Sequence, residues 1–254
     1  MNNKEAVIVG KRWSYCAEGY DSIIQEEFEG EQPSRWSRLL RENAPKTCGK
    51  ALDIGTGPGF FAVLLSRMGW EVTGIDCAEE MVRTAAKNAE VLGLKAGFYQ
   101  MDNHHLNYPD NTFDYIVSRN VTWILYDPEE AFKEWFRVLK PGGRILYFDA
   151  NWPYSESKSF LEAQKRDEEA YRKLYGEPAN TYQGDEETEE KFKSLLYFDK
   201  VWRPEWDERY LPNCGYCNVR VIPRVNEEVY SESKQLLYRS TPMFLVTADK
   251  PLDR

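Results

Sequence analysis

A glycine-rich loop between two aspartates is the part of the sequence whose residue types point most directly to chemistry. Gly55, Gly57 and Gly59 occupy alternate positions after Asp53. Glycine lets a backbone turn tightly and lets a ligand approach closely, beside the amides that open the next helix. Asp76 ends the following predicted strand, where a carboxylate would accept both hydroxyls of a ribose. This pattern predicts a nucleotide-type ligand.

The charge of Asp53 distinguishes two classes of such ligands. Residues 57–62 fit the dinucleotide fingerprint with alanine in its last place. A pyrophosphate at this loop, however, would lie close to the Asp53 carboxylate at an electrostatic cost. A sulfonium compound with an α-amino group gains from the same carboxylate. Asp53 therefore favours S-adenosylmethionine over NAD, and an NAD-dependent oxidoreductase is kept only as a third interpretation.

Five motifs follow one another in order between residues 48 and 152. They are ALDIGTGPG at residues 51–59, GID at 74–76 followed by Met81, Asp102, FDYIVS at 113–118 and RVLKPGG at 137–143. Together they resemble the motifs of class I S-adenosylmethionine-dependent methyltransferases, in the small-molecule, quinone-methyltransferase-like branch. The resemblance implies an α/β fold with a Rossmann-like sheet of seven strands, the last antiparallel. It also implies methyl transfer to a small-molecule acceptor by in-line displacement.

The resemblance further implies roles for individual residues at the cofactor. Gly55 and Gly57 bring their backbone to the methionine part, and Asp53 supports the loop and the amino group. The ribose binds Asp76, while the adenine packs on Cys77 and Met81 and is read at its edge by Asp102 and the Asn103 amide. The predicted cofactor residues are thus Asp53, Gly55, Gly57, Gly59, Asp76, Cys77, Met81, Asp102, Asn103 and Ser118. Residues 103–105 depart from the family, which usually has a small residue and an acid there.

The segment after the fourth predicted strand is where the family places acceptor contacts. It lacks the acidic-or-amide, proline, proline, aromatic sequence used for planar amino groups, which argues against nucleobase methylation. The predicted substrate residues are Tyr20, Arg119, Asn120, Trp123, Tyr126 and Trp152, with Tyr154 beside them. The aromatic members would equally suit the hydrophobic core.

No catalytic base is identified beyond two candidates, the adjacent histidines His104 and His105. Imidazole titrates near neutrality and suits proton transfer from a hydroxyl. A thiolate, an amine or an activated carbon needs little such help, and a loop histidine near a cofactor also serves as a packing or hydrogen-bonding residue.

Two alternatives to a metal-free enzyme acting on a small molecule stay open. Cys214 and Cys217 could hold a soft metalloid, as in relatives that methylate arsenite, although the segment also reads as a glycine turn between a helix and a strand and falls short of a four-ligand zinc site. A catalytically inactive S-adenosylmethionine-binding sensor or partner subunit would carry the same cofactor motifs. An enclosed acceptor space beside the methyl group distinguishes an enzyme from it.

The hydrophobic pattern indicates the elements that position these residues. From residue 50 to 151, short apolar runs alternate with longer amphipathic ones, which is typical of βαβ units and a parallel sheet. Strands are predicted at residues 51–54, 72–75, 97–101, 113–118 and 144–149, with later β-rich runs at 219–222 and 243–247. Residues 17–28 and 33–42 are predicted helices, packed on the sheet edge or, with residues 12–20, folded over a ligand.

Four regions follow from this pattern. Residues 1–47 form an N-terminal helical lid, 48–152 the cofactor-binding core, 153–204 an inserted helical cap, and 205–254 a helix with the last two strands. The cap is acidic and contains Tyr171, Tyr175, Tyr182, Tyr197 and Trp202. Such a surface would favour a flat or cationic substrate, or simply be a solvated acidic face.

Composition limits the partners. The chain has 254 residues, a net charge of −9 and 42% hydrophobic residues. A folded core is therefore expected, whereas nucleic-acid binding and membrane association are not. Five cysteines, an odd number, and the absence of a long apolar run predict a reduced, cytoplasmic protein without a metal site. Whether it is a monomer or a homodimer is left open.

Overall fold

The computed structural model describes residues 3–152, 158–178 and 182–252. Within these ranges seven strands form one sheet. They are β1 (Lys50–Ile54), β2 (Glu71–Asp76), β3 (Ala96–Gln100), β4 (Phe113–Arg119), β5 (Leu139–Asp149), β6 (Cys217–Ile222) and β7 (Phe244–Asp249). Their order across the sheet is β3-β2-β1-β4-β5-β7-β6, and β7 runs antiparallel to both of its neighbours. The predicted class I, Rossmann-like architecture is confirmed.

Eleven α-helices accompany the sheet in the described residues. They are α1 (Lys4–Ser14), α2 (Ala17–Glu29), α3 (Gln32–Glu42), α4 (Phe60–Arg67), α5 (Glu79–Val91), α6 (Pro128–Val138), α7 (Lys158–Tyr175), α8 (Glu186–Lys193), α9 (Glu205–Asn213), α10 (Asn226–Val229) and α11 (Glu232–Leu237). Short 3₁₀ turns lie at Thr122–Ile124 and Tyr197–Asp199.

Several elements differ from the sequence-based prediction: residues 205–254 hold three helices, α9, α10 and α11, where one was expected, and α1 and β5 also differ. Helix α1 was not predicted, yet the Asn3 side chain caps it by accepting from the Glu5 amide, and Ala6 and Val9 are buried on its inner face. Strand β5 begins at Leu139 rather than at residue 144, since Leu139 already pairs with β4 and the ladder resumes after a register shift. The proline-glycine-glycine segment is therefore part of the strand.

Side-chain alternation along the strands builds a core on each face of the sheet. In β5, Leu146 and Phe148 pack on one face with Trp36 and Leu40 of α3. Tyr147, the residue between them, packs on the other face with Trp135 of α6. Burying each large side chain stabilises the fold by about 1.5–3 kcal/mol. The sheet is thus a rigid platform for the loops at its carboxyl edge.

The N-terminal helices and the cap contact one another. Helix α1 packs against α8, and α7 packs against α11. The Asp167 carboxylate of α7 accepts from the Arg239 side chain and from the Ser240 amide. The Ser14 hydroxyl of α1 also donates to Glu80 of α5. In the described ranges, no helix combines the length and apolarity needed to cross a bilayer.

Candidate active site

A cleft lies at the carboxyl edge of the sheet, along the loops after β1, β2 and β4. Residues of α1 and α2, namely Trp13, Tyr20 and Ile24, form its opposite side. Seven of the predicted cofactor residues line it: Asp53, Gly55, Gly57, Asp76, Cys77, Met81 and Asn103. Ligands bind at this edge in open α/β sheets. The structure therefore brings together most of the residues that the motifs singled out.

The other three predicted cofactor residues lie behind the wall of the cleft. Gly59 caps α4 with a φ of +93°, and a Cβ there would approach Ala85 to 3.2 Å. The Ser118 hydroxyl is buried and donates to the Ile54 carbonyl. Asp102 is engaged by neighbouring side chains. These residues support the cleft and do not line it.

The glycine loop is left-handed at Gly55 and Gly57, whose φ angles are +65° and +52°. A Cβ at Gly55 would fall 2.3 Å from Val121, so any side chain there would displace the segment after β4. At Gly57 no atom lies within 4 Å of the Cβ position. Gly55 is therefore required by the close packing of Val121, and Gly57 by its left-handed backbone conformation.

The two aspartates fasten the loop on either side. The buried Asp53 carboxylate accepts from the Thr56 hydroxyl at 2.7 Å and from the Ala62 amide at 3.0 Å. Burial raises the pKa of Asp53 to about 7. Asp76 accepts from the Gly57 amide at 3.0 Å and from the Ala78 amide at 2.9 Å, and burial raises its pKa as well. Burial thus disfavours the ionised form of both carboxyls, and a cationic ligand beside them would favour it.

Three buried polar atoms on the cleft have no hydrogen-bond partner among the described residues. They are Asn103 Oδ1, Asn120 Oδ1 and Trp13 Nε1. A buried polar atom without a partner is costly, so such groups in one cleft indicate a ligand that satisfies them. Together with the two carboxylates, they suit a polar, cationic nucleoside.

The histidines occupy positions outside the cleft. The His104 Nδ1 donates to Asp102 at 2.8 Å, and its Nε2 accepts from the Asp127 amide at 3.3 Å. Its ring also stacks on Tyr126, whose hydroxyl donates to Asp102 at 2.7 Å. Burial alone would raise the pKa of Asp102, but these hydrogen bonds outweigh it and lower the pKa to about 2. His104 thus serves as a structural link.

His105 is 60% exposed at its side chain and faces Glu130 at 3.4 Å. Both histidines, with Tyr126, border a separate open groove. The structure therefore does not bring the two candidate bases, or Tyr126, together with the predicted acceptor residues.

A second cavity of about 550 Å³ adjoins the cleft. Trp13, Tyr20, Ile24, Arg119 and Asn120 line both spaces. Trp123 and Trp152 line the second cavity from the core, and Leu161, Gln164, Glu189 and Lys193 line it from α7 and α8. Five of the predicted substrate residues, Tyr20, Arg119, Asn120, Trp123 and Trp152, thus line one partly open cavity. Tyr154 lies outside the described residues.

Several residues on this cavity were not predicted. Glu27 of α2 binds Arg119 at 2.9 Å and Lys234 at 2.7 Å, and the three residues are far apart in sequence. Arg12 of α1 reaches Glu189 at 3.2 Å. Single charged residues on amphipathic helices resemble solvated surface positions, so no local pattern in the sequence could have identified them.

The cysteine pair lies elsewhere. Cys217 Sγ lies 3.5 Å from the Asp249 carbonyl, where β7 pairs with the start of β5 at the edge opposite the cleft. Cys214 is half-buried beside the core cluster under α6. Among the described residues, no three His, Cys, Asp or Glu side chains are grouped to hold a metal ion. The metalloid alternative therefore gains no support from the geometry.

Comparisons with known proteins agree with this geometry. Residues 52–147 match the family model described as methyltransferase domain. A demethylmenaquinone methyltransferase of Thermus thermophilus is 37% identical, over 45% of this chain and 54% of its own length. A phosphatidylethanolamine N-methyltransferase of Cereibacter sphaeroides is 35% identical, over 39% of this chain and 49% of its own length. The chain spans less than two thirds of the length of the curated relatives it matches.

Solved structures with the same fold include two methyltransferases. One is phosphoethanolamine N-methyltransferase 2 of Haemonchus contortus in complex with phosphomonomethylethanolamine and S-adenosylhomocysteine. It has a TM-score of 0.61, 18% identity, and covers 86% of this chain and 52% of its own. The other is a SAM-dependent methyltransferase of Aquifex aeolicus, with a TM-score of 0.55, 24% identity, 90% coverage of this chain and 97% of its own.

Proposed function

We propose that the protein is an S-adenosylmethionine-dependent methyltransferase that transfers a methyl group to a small molecule, on the premise that residues 52–147 match the methyltransferase domain model. The observation that carries the proposal is the second cavity, which adjoins the cleft and shares Tyr20, Arg119 and Asn120 with it. An acceptor there would lie beside the methyl end of the cofactor. A protein that only sensed the cofactor would have no use for this space.

The residues of the cleft fit S-adenosylmethionine. In the proposed arrangement Asp76 binds the ribose hydroxyls, Asp53 and the glycine loop face the methionine part, and Cys77 and Met81 pack on the adenine. The unpartnered Asn103 Oδ1 suits a donor on the adenine edge. When bound, the cofactor supplies a methyl group on a sulfonium, which is already a good leaving group.

The chain's own contribution to transfer is alignment and exclusion of water. The aromatic side chains of Trp13, Trp123 and Trp152 would hold the acceptor against the cleft, and positioning of this kind accelerates a displacement. Neither histidine of the chain lines the cavity. We therefore propose that transfer proceeds without a histidine base, so the acceptor nucleophile must be reactive once aligned.

The lid and cap boundaries are part of the same proposal. Residues 1–47 would cover the cofactor, and residues 153–204 would enclose the acceptor through α7 and α8. All five cysteines are free thiols, which supports a reducing compartment such as the cytoplasm.

Incubation with labelled S-adenosylmethionine and a fractionated metabolite extract is expected to give a labelled small molecule. The matched control is the Asp76→Ala variant, which should give none because it binds the cofactor poorly. Label in nucleic acid or protein only would refute the small-molecule proposal. Cofactor binding without any labelled product, across extracts of several growth conditions, would favour the inactive sensor instead.

Affinity for S-adenosylmethionine is expected to rise between pH 5.5 and 7.5 and then to level off. The reason is that the pKa of Asp53 is raised by burial to about 7. Below that pH Asp53 is protonated and neutral, and above it the carboxylate attracts the cationic end of the cofactor, so each pH unit below 7 costs up to about tenfold in affinity. Calorimetry at three pH values measures this. Asp53→Asn should flatten the profile, and identical profiles for both proteins would contradict the assignment.

A further inference from the structure

The wall of the second cavity carries more cations than carboxylates. Its basic side chains are Arg12, Arg119, Lys193 and Lys234, and its acidic ones are Glu27 and Glu189. Three further acids of α8, Glu186, Glu187 and Glu190, are exposed and do not line the cavity, although Glu190 pairs with the wall residue Lys193. The cationic substrate expected from the composition of the cap therefore does not follow from the residues that actually face the space.

The excess is concentrated at Glu27. Arg12 and Glu189 pair at 3.2 Å, and Lys193 pairs with Glu190 at 3.1 Å, so these two cations are balanced. Glu27, in contrast, is shared by two cations, with Arg119 at 2.9 Å on one oxygen and Lys234 at 2.7 Å on the other. Burial alone would raise the pKa of Glu27, but the two cations outweigh it and lower the pKa, so the carboxylate stays ionised. The Arg119–Glu27–Lys234 triad thus carries one net positive charge. Asp53 also interacts electrostatically with Arg119, but burial raises the pKa of Asp53 to about 7, so this carboxyl is only partly ionised at neutral pH.

This triad is poorly placed to be solvated. Glu27 and Arg119 are largely buried, with side-chain exposures of 7% and 15%, and Lys234 is 24% exposed. The Arg119 guanidinium lies between aromatic rings, 4.7 Å from the Phe60 centroid and 5.1 Å from that of Trp36. A partly desolvated net charge is costly unless a counter-ion is supplied. A ligand in the cavity can supply it.

Flat aromatic surfaces complete the cavity beside the triad. The Tyr238 ring meets Trp152 edge-on, with centroids 5.7 Å apart, and lies tilted against Tyr230 at 5.4 Å. The Trp152 and Trp123 rings are 6.4 Å apart. Ring faces and edges arranged in this way contact planar groups well. A space of about 550 Å³ accommodates a substituted ring.

We propose that the acceptor is a planar molecule bearing an anionic oxygen group, either a carboxylate or a phosphate. That group pairs with Lys234 and Arg119 of the triad. This inference rests on the proposed function and names the substrate class of the same site. The anion neutralises the excess charge, while the planar part lies between the aromatic walls with its nucleophile directed toward Asn120 and the cofactor cleft.

The proposal is tested with four phenols that share a 4-hydroxyphenyl ring and differ in the substituent opposite the hydroxyl. They are 4-hydroxybenzoate, 4-hydroxyphenyl phosphate, 4-hydroxybenzamide and 4-hydroxybenzylamine. Binding to the full chain, saturated with S-adenosylhomocysteine, is measured by tryptophan fluorescence and calorimetry. We expect one or both anions to bind at least about tenfold more tightly than the neutral amide, and the amine to bind least. The first two probes distinguish a carboxylate from a phosphate. Equal binding of acid, amide and amine would overturn the inference.

Lys234→Gln removes the excess charge and leaves the Arg119–Glu27 pair intact. It should abolish the preference for anions while leaving affinity for S-adenosylhomocysteine unchanged, because Lys234 does not line the cleft. Lys191→Gln is the matched control, an exposed lysine of α8 paired with Glu187 and absent from the cavity. An anion preference retained in Lys234→Gln would also overturn the inference. A parent protein that does not bind S-adenosylmethionine would instead refute the proposed function.

Discussion

Replacing Asp76 by alanine is expected to weaken S-adenosylmethionine binding about a hundredfold, with a dissociation constant measured by calorimetry. In the proposed complex this carboxylate accepts from two ribose hydroxyls, and each hydrogen bond to a charged group contributes about 1.5–3 kcal/mol. The same carboxylate accepts from the Gly57 and Ala78 amides, so its loss also loosens the glycine loop that faces the methionine part.

The matched control is Glu79→Ala, which removes an exposed carboxylate from the first turn of α5 without touching the cleft. It should bind the cofactor as the parent protein does. Asp76→Asn keeps an oxygen acceptor and should fall between the two. Equal affinities of Asp76→Ala and Glu79→Ala would contradict the proposed ribose contact, and tighter binding of NAD than of S-adenosylmethionine by the parent would contradict the cofactor itself.

The residues that line the cleft were predictable because the motifs that contain them are local in sequence. Left-handed glycines, a carboxylate at a strand end and the alternation of strand and helix are all written within short segments. Gly55 and Asp76 therefore fell where the motifs put them, on one cleft. The parallel part of the sheet followed from the same alternation, since parallel strands need crossover helices, whereas the seven strands and the antiparallel last strand were implied by the family resemblance.

The acceptor side was only partly predictable because it is assembled from distant segments. Trp123 and Trp152 follow strands whose ends meet at one edge, so their position could be anticipated. Glu27 and Lys234 come from α2 and α11, and nothing in either helix indicates that they meet at Arg119. Tyr126 was predicted on this cavity but does not line it. Its hydroxyl donates instead to Asp102.

Arg203 connects the cap to the acceptor wall. Its guanidinium is fully buried and donates to both oxygens of Asp207, at 2.9 and 2.6 Å, and to the Thr122 hydroxyl at 2.7 Å. Asp149, 3.7 Å from the same guanidinium, accepts in turn from the Trp123 amide and from the Trp152 indole. Two aromatic residues of the cavity are therefore held by a carboxylate that depends on this arginine.

Arg203→Ala is expected to destabilise the protein by about 3–5 kcal/mol, because it leaves two buried carboxylates, Asp149 and Asp207, without their cation. For a chain of this length, that corresponds to a melting temperature lower by about 10 °C, which calorimetry measures. Arg224→Ala, which breaks an exposed pair with Glu227, is the control and should cost under about 1 kcal/mol. Arg203→Lys keeps the charge but not the fork of donors, so an intermediate loss is expected. Indistinguishable melting curves for the two alanine variants would show that the buried network does not stabilise the fold.

The same network should also position the cavity wall. Arg203→Lys is therefore expected to weaken binding of the planar phenols more than binding of S-adenosylhomocysteine, since Arg203 does not line the cleft.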